Sequence, residues 1–169
     1  MRYLIESGHK KIAFIGGNLP SGYTYYMERY DAYRIAMRMN DYPIAPEWII
    51  DCGWDRQSCF QQTQKLLDCT NRPTAIFVAS DNMAMVCMSA IAQKGLKIPE
   101  DISVIGISDV PESKYLTPPL TTISIPQNEL GKVAAQLLIQ RIERDTTIVK
   151  QIYLPTQLVI RDSVKNIST

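Results

Sequence analysis

Apolar positions along this chain follow two alternating rhythms. Compact runs rich in Ile, Val, Ala and Phe, at residues 11–15, 74–79 and 102–107, read as strands buried on both faces rather than half-exposed ones. Between them the apolar residues space out. Tyr26, Tyr30, Tyr33 and Met37 recur at helical intervals up to Asn40, and Phe60, Thr63, Leu66 and Leu67 mark the inward side of a helix over residues 58–67. A third helix is expected over residues 81–94, with Ser80 or Asp81 as its N-cap and Gly95 at its end. Residues 3–7 read as the last turn of a helix stopped by Gly8, so the chain looks truncated within an element, and residues 48–51 read as a short strand.

The segment 97–123 carries several signals at once. Ile98-Pro99-Glu100-Asp101 breaks the preceding helix, and residues 102–107 form a strand. Residues 115–123 make a proline-fixed turn into a β-branched strand that continues to Ile125. After Pro126 a long helix is expected over residues 129–144, with Leu130, Val133, Ala134, Leu137, Leu138 and Ile142 on one apolar stripe. Residues 152–160 then read as a closing strand. Strands alternating with helices through short connections predict an α/β fold, an open parallel doubly wound sheet. The fourth strand ends in Gly106-Ile107-Ser108-Asp109, placing polar side chains at a carboxyl end, where such sheets bind small molecules.

Composition narrows the function. A length of 169 residues with 46% apolar and 21% charged residues suits one soluble domain with a real core. The 18 basic and 17 acidic side chains leave +1, whereas binding nucleic acid needs clustered cations, so this segment is not expected to bind DNA by itself. Cys52, Cys59, Cys69 and Cys87 match neither a metal-ligand spacing nor a redox motif and read as free thiols of a reducing compartment. No signal-peptide pattern and no apolar run long enough for a membrane helix occurs, so neither export nor membrane association is expected.

Catalysis finds little support. Ser80-Asp81 and Ser108-Asp109 could pair a nucleophile with an acid, but a hydroxyl needs a base within reach, and the sole histidine, His9, precedes the first strand. Neither a nucleophile elbow nor a phosphate loop is present, and Gly16-Gly17-Asn18 is too short for a dinucleotide fingerprint. A binding role suits the residues better. Arg29 can grip a carboxylate or two hydroxyls, or be a solvated surface arginine. Trp54 can stack on a ligand or cover the core, and Tyr23, Tyr25 and Tyr26 offer ring faces or a hydrophobic flank.

Four stretches bear a family likeness: residues 8–17 (GHKKIAFIGG), 73–84 (PTAIFVASDNMA), 97–123 and 154–161 (LPTQLVIR). In this order, over nearly the whole chain, they resemble the effector-binding core of the lactose-repressor and purine-repressor family of bacterial transcription regulators. The resemblance implies a domain of two lobes with three crossings between them. The second lobe would comprise residues 1–124 and 150–163, and a crossover helix at 127–145 would normally pack on a first lobe that lies outside this chain, as would the DNA-binding module.

That helix would then lack a surface to cover. Dimerisation, swapping or fraying of the isolated segment is expected, and full hydrogen-exchange protection of residues 133–142 in a proven monomer would contradict it. The resemblance further implies a cytoplasmic, non-catalytic regulator without cofactor or metal, a sugar-like small-molecule effector, a homodimer, and DNA contact only through the N-terminal module. Effector contacts would be Tyr25, Arg29, Trp54, Ser80, Asp81, Ser108 and Asp109, with Arg29 the principal one. Sugar-responsive relatives carry Asp where Ser108 stands, which removes a charge-assisted acceptor. Dimer contacts would be Met83, Met85, Met88, Ser113 and Tyr115. A solute-binding protein of a sugar transporter shares the two-lobed architecture and is the alternative.

Overall fold

The computed structural model describes residues 1–17, 27–144 and 149–168. Six strands form one sheet: β1 (Ile12–Gly16), β2 (Ile49–Asp51), β3 (Ala75–Val78), β4 (Ser103–Ser108), β5 (Thr121–Ser124) and β6 (Gln157–Val159). Their spatial order is β2-β1-β3-β4-β5-β6; the first five run parallel and β6 pairs antiparallel to β5. Every residue of β1 and β3 is buried, which is why these segments are apolar throughout instead of alternating with polar positions.

Both faces are covered. Ala13, Ile15, Ile76, Val78 and Val104 point into one core layer, where α3 (Arg56–Asp68) and α4 (Asp81–Gln93) contribute Cys59, Leu66, Met83, Cys87 and Ile91. Ile12, Phe14, Phe77, Ile105 and Ile107 face the other, against Leu4 of α1 (Arg2–Glu6) and Tyr33 and Met37 of α2 (Met27–Met39). The Tyr33 hydroxyl is satisfied within this layer by donating to the Ile12 carbonyl at 2.8 Å, so burial of the phenol strands no polar group.

Three expectations are corrected. The helix expected from Ser58 starts at Arg56, because the Asp55 carboxylate accepts from the Ser58 amide at 2.7 Å and caps the first turn. Ser80 stands at the N-cap of α4 but its side chain makes no capping bond. The closing strand expected over 152–160 contracts to Gln157–Val159 and runs antiparallel, giving the parallel sheet one edge of opposite sense. Pro155 has no amide to donate, and the residues before it lie along the cleft described below.

The long helix α5 (Gln127–Arg144) carries the apolar stripe its sequence suggests, yet that stripe is poorly covered. Val133 and Leu137 are half-buried, whereas Leu130, Leu138 and Ile142 are 49%, 60% and 74% exposed. Among the described residues, no helix is long and apolar enough to cross a membrane, and no group of His, Cys, Asp or Glu could hold a metal ion.

Candidate effector cleft

Because β1 to β5 run the same way, their carboxyl ends gather along one edge of the sheet. Gly17, Trp54, Ser80, Asp109 and Ile125 all follow these ends. The tips are tied together: the Cys52 amide donates to the Gly16 carbonyl and the Ala79 amide to the Ile15 carbonyl, both at 2.8 Å. The order β2-β1-β3 reverses direction at β1, and such a switch point opens a crevice between neighbouring tips. Arg29, near the start of α2, reaches into this region and donates from its guanidinium to the Ala79 carbonyl.

A cleft of about 530 Å³ adjoins Arg29 beside the carboxyl ends of β3, β4 and β5. Arg29, Phe77, Ile107, Ile123 and Ile125 form the sheet side, while Leu130 of α5 and Gln151, Tyr153 and Thr156 close the other. Apolar walls with a cation and a few polar groups are the usual build of a small-molecule site, the walls excluding water and the polar groups setting orientation. A second, contiguous hollow of about 500 Å³ is bordered by Ser108, Asp109, Ile125 and the first turn of α5.

Trp54, just past β2, is not among the residues that line either hollow. Gly53 and Trp54 both take positive φ, +57° and +59°, turning the chain sharply after β2. The indole packs on the core layers of both faces and lies against Gly17, where a Cβ would sit 2.6 Å from the Trp54 amide and ring. Glycine is therefore required at 17 for this approach.

The turn after β4 is strained. Ser108 and Asp109 have φ of +131° and +53°, conformations that cost non-glycine residues free energy unless their surroundings enforce them. Two pins do so here. Arg161 donates to Asp109 Oδ1 at 2.7 Å and to the Leu120 carbonyl at 2.8 Å, and the Val110 amide donates to Asp81 Oδ2 at 3.1 Å. Asp109, expected as an effector contact, borders the second hollow and is paired there with Arg161. Ser108 keeps its place beside the hollow.

Asp81 is held more deeply still. Its side chain is fully buried, and both oxygens are occupied: Oδ1 accepts from the Thr122 hydroxyl at 2.6 Å, and Oδ2 from the Ser113 hydroxyl at 2.8 Å as well as from Val110. The carboxylate thus bolts α4 to β5 and to the connection between β4 and β5, and it is not among the residues that line either hollow. A Cβ on Gly106 would overlap Asp81 Oδ1, so the strand opposite has no side chain at that point. Ser80 is half-buried at the strand tip, and Tyr25 lies outside the described residues.

The expected dimer contacts also divide. Met83 and Met88 are buried in the core beneath α4, and Ser113 is fully buried on Asp81. Met85 is half-buried, in a surface groove with Phe60, Asn82, Val86 and Ser89, and Tyr115 is 76% exposed with Lys114 over its ring. Helical periodicity places Met83 and Met85 on opposite sides of one helix, a distinction that composition alone hides. Sequence reasoning also missed Phe77, Ile123 and Gln151 as cleft walls and Arg161 as a pin; the last stands in a motif already singled out, but its partner is 52 residues away.

Comparison with known proteins identifies the family and agrees with the fold. Residues 1–164 match the periplasmic binding protein-like domain, and the chain belongs to that family. Its relatives within it are LacI-family transcriptional regulators. The probable HTH-type transcriptional repressor ExuR of Bacillus subtilis is 37% identical over 169 residues, covering 100% of this chain and 50% of its own length. A putative transcriptional regulator LacI from Bacillus cereus subsp. cytotoxis superposes with a TM-score of 0.93 at 30% identity, over 99% of this chain and 58% of that one. A LacI family regulator from Enterococcus faecium, solved with bound ribose, gives 0.87 at 28% identity, over 98% and 61%. These relatives are named as repressors and regulators, not as enzymes, and the chain spans about half the length of the curated proteins it matches.

Proposed function

We propose that this chain supplies the second lobe, residues 1–124 and 150–163, and the crossover helix, residues 127–145, of a two-lobed effector-binding domain in a cytoplasmic LacI-type regulator. A small molecule, a sugar or related metabolite, binds between the lobes. The observation that carries this reading is the cleft of about 530 Å³ at the carboxyl ends of the strands, walled on one side by the sheet and on the other by α5 and residues 151–156. The exposed stripe of α5 supports a first lobe packing there. The bound ribose of the Enterococcus relative supports the ligand class.

In this mechanism Arg29 orients the ligand through charge-assisted hydrogen bonds, Trp54 and the apolar walls exclude water, and Ser80 and Ser108 offer hydroxyls from neighbouring strand tips. With serine at 108, no carboxylate accepts from the ligand at that position. The ligand favours one relative orientation of the lobes only by its differential affinity for the two. The signal passes through a homodimer, using the outer face of α4 at Met85 together with Tyr115, to DNA held by an N-terminal module.

A thermal-shift screen of the intact regulator against sugars, sugar acids and purines tests this, since a ligand bound only by the folded form raises the midpoint. Arg29→Ala is expected to weaken the responding ligand by about tenfold to a hundredfold, the loss of roughly 1.5–3 kcal/mol for a charge-assisted bond. Unchanged affinity in that variant refutes the site.

A further inference from the structure

The two walls of the 530 Å³ cleft differ in chemistry. On the sheet side Phe77, Ile107, Ile123 and Ile125 present hydrocarbon only. The polar groups around them are engaged by the protein: Asp81 accepts from Ser113 and Thr122, Asp109 from Arg161, and Arg29 donates to the Ala79 carbonyl. Across the cleft, Gln151, Tyr153 and Thr156 line the other wall from a stretch, residues 149–156, that belongs to no helix or strand. All three side chains are exposed, Tyr153 at 80%. Among the described residues, none makes a hydrogen bond to them.

We propose, on the basis of the effector role given above, that residues 151–156 are the specificity element of the cleft. A ring sugar lies between the isoleucine wall and the Tyr153 ring, and the Gln151 amide exchanges hydrogen bonds with hydroxyls on the edge of the sugar. Such a ring has C–H groups on its faces and points its equatorial hydroxyls outward. Its faces therefore suit the hydrocarbon wall and the phenol ring, and its edge suits an amide.

Each part has a separate physical role. Stacking on the sugar removes an exposed aromatic face from water. The amide carries two donors and an acceptor on one flat group, so it bonds neighbouring hydroxyls in one configuration and loses a bond when one of them is inverted. The inverted hydroxyl then faces hydrocarbon that offers it no partner, which lowers affinity for that epimer. Arg29 fixes where the ligand sits, and the segment opposite selects among ligands.

The test uses the intact regulator with D-ribose, D-glucose, D-galactose, sucrose and cellobiose, ranked by the rise in melting midpoint. Calorimetry then gives dissociation constants for the strongest of them and for its epimers at single hydroxyls. Tyr153→Ala is expected to weaken that sugar about threefold to tenfold, and Tyr153→Phe to leave it within about twofold, since the ring face makes the contact. Gln151→Ala is expected to bring the affinities for the sugar and its disfavoured epimer closer by at least about threefold, a change that a merely structural role would not produce. Sugar-free midpoints of these variants stay within about 2 °C of the parent.

A sugar that is weakened by Arg29→Ala, yet keeps its strength and epimer ratio in Tyr153→Ala and Gln151→Ala, overturns this proposal and leaves the effector cleft standing. Equal weakening of every sugar together with a lowered sugar-free midpoint overturns it as well, because the segment then packs on the other lobe. No midpoint rise with any of these sugars, or binding indifferent to Arg29→Ala, overturns both this proposal and the effector reading beneath it.

Discussion

Replacing Asp81 with alanine should unbolt the sheet edge without touching a ligand. The variant leaves the Ser113 and Thr122 hydroxyls and the Val110 amide without the acceptor they share, in a site where Asp81 is fully buried. Each stranded buried group costs roughly 1–3 kcal/mol, and rotating hydroxyls recover part of that, so the sum is about 3–5 kcal/mol. A domain of this kind has only about 5–15 kcal/mol in total. At about 2–4 °C per kcal/mol the melting midpoint falls by about 6–20 °C. Asp81→Asn keeps the shape but presents a donor where one oxygen accepted, and should lose about 1–2 kcal/mol. Urea and thermal unfolding monitored by circular dichroism measure both, beside effector affinity in the same variants. A midpoint within about 2 °C for Asp81→Ala, with effector affinity nonetheless collapsing, would refute the reasoning and return this carboxylate to the ligand.

The Asp109–Arg161 pair, 24% and 18% exposed and bonded at 2.7 Å, should show coupling in a double-mutant cycle. Asp109→Asn and Arg161→Ala are expected to be non-additive in unfolding free energy by about 1–2 kcal/mol, and a coupling under about 0.5 kcal/mol would mean that the Ser108 turn is held by Asp81 alone. His9 should make stability depend on pH. Its ring is buried, Nε2 donates to the Lys165 carbonyl at 3.0 Å, and Nδ1 lies 2.9 Å from the Thr74 hydroxyl; burial lowers its pKa below the ordinary 6.5 despite the Lys165 bond. The unfolded chain therefore takes up this proton first. The contribution of His9 is complete above pH 6.5 and declines as pH falls from there to the folded pKa. Midpoints scanned downward from pH 7.5 should drop more steeply for the parent than for His9→Gln, and parallel profiles would rule the linkage out.

Much of this architecture is local and therefore readable from residues in order. All-apolar runs at β1, β3 and β4 announce strands buried on both faces, and the stripe of α5 announces a helix that wants a partner. Such signals depend on a residue and its near neighbours. The polar groups that cluster at strand ends were visible for the same reason, and so was the crevice they imply.

Which of those polar groups face the crevice was decided only by packing. Asp81 and Asp109 look like ligand contacts in one dimension, yet each is claimed by a residue 29 to 52 positions distant: Val110, Ser113 and Thr122 for the first, Arg161 for the second. Met83 and Met85 differ by two positions and part to core and surface. Backbone periodicity is set by short-range sterics and survives in the sequence. The partner of a buried charge is set by which distant segment the sheet order brings beside it, and that exists only in the folded chain.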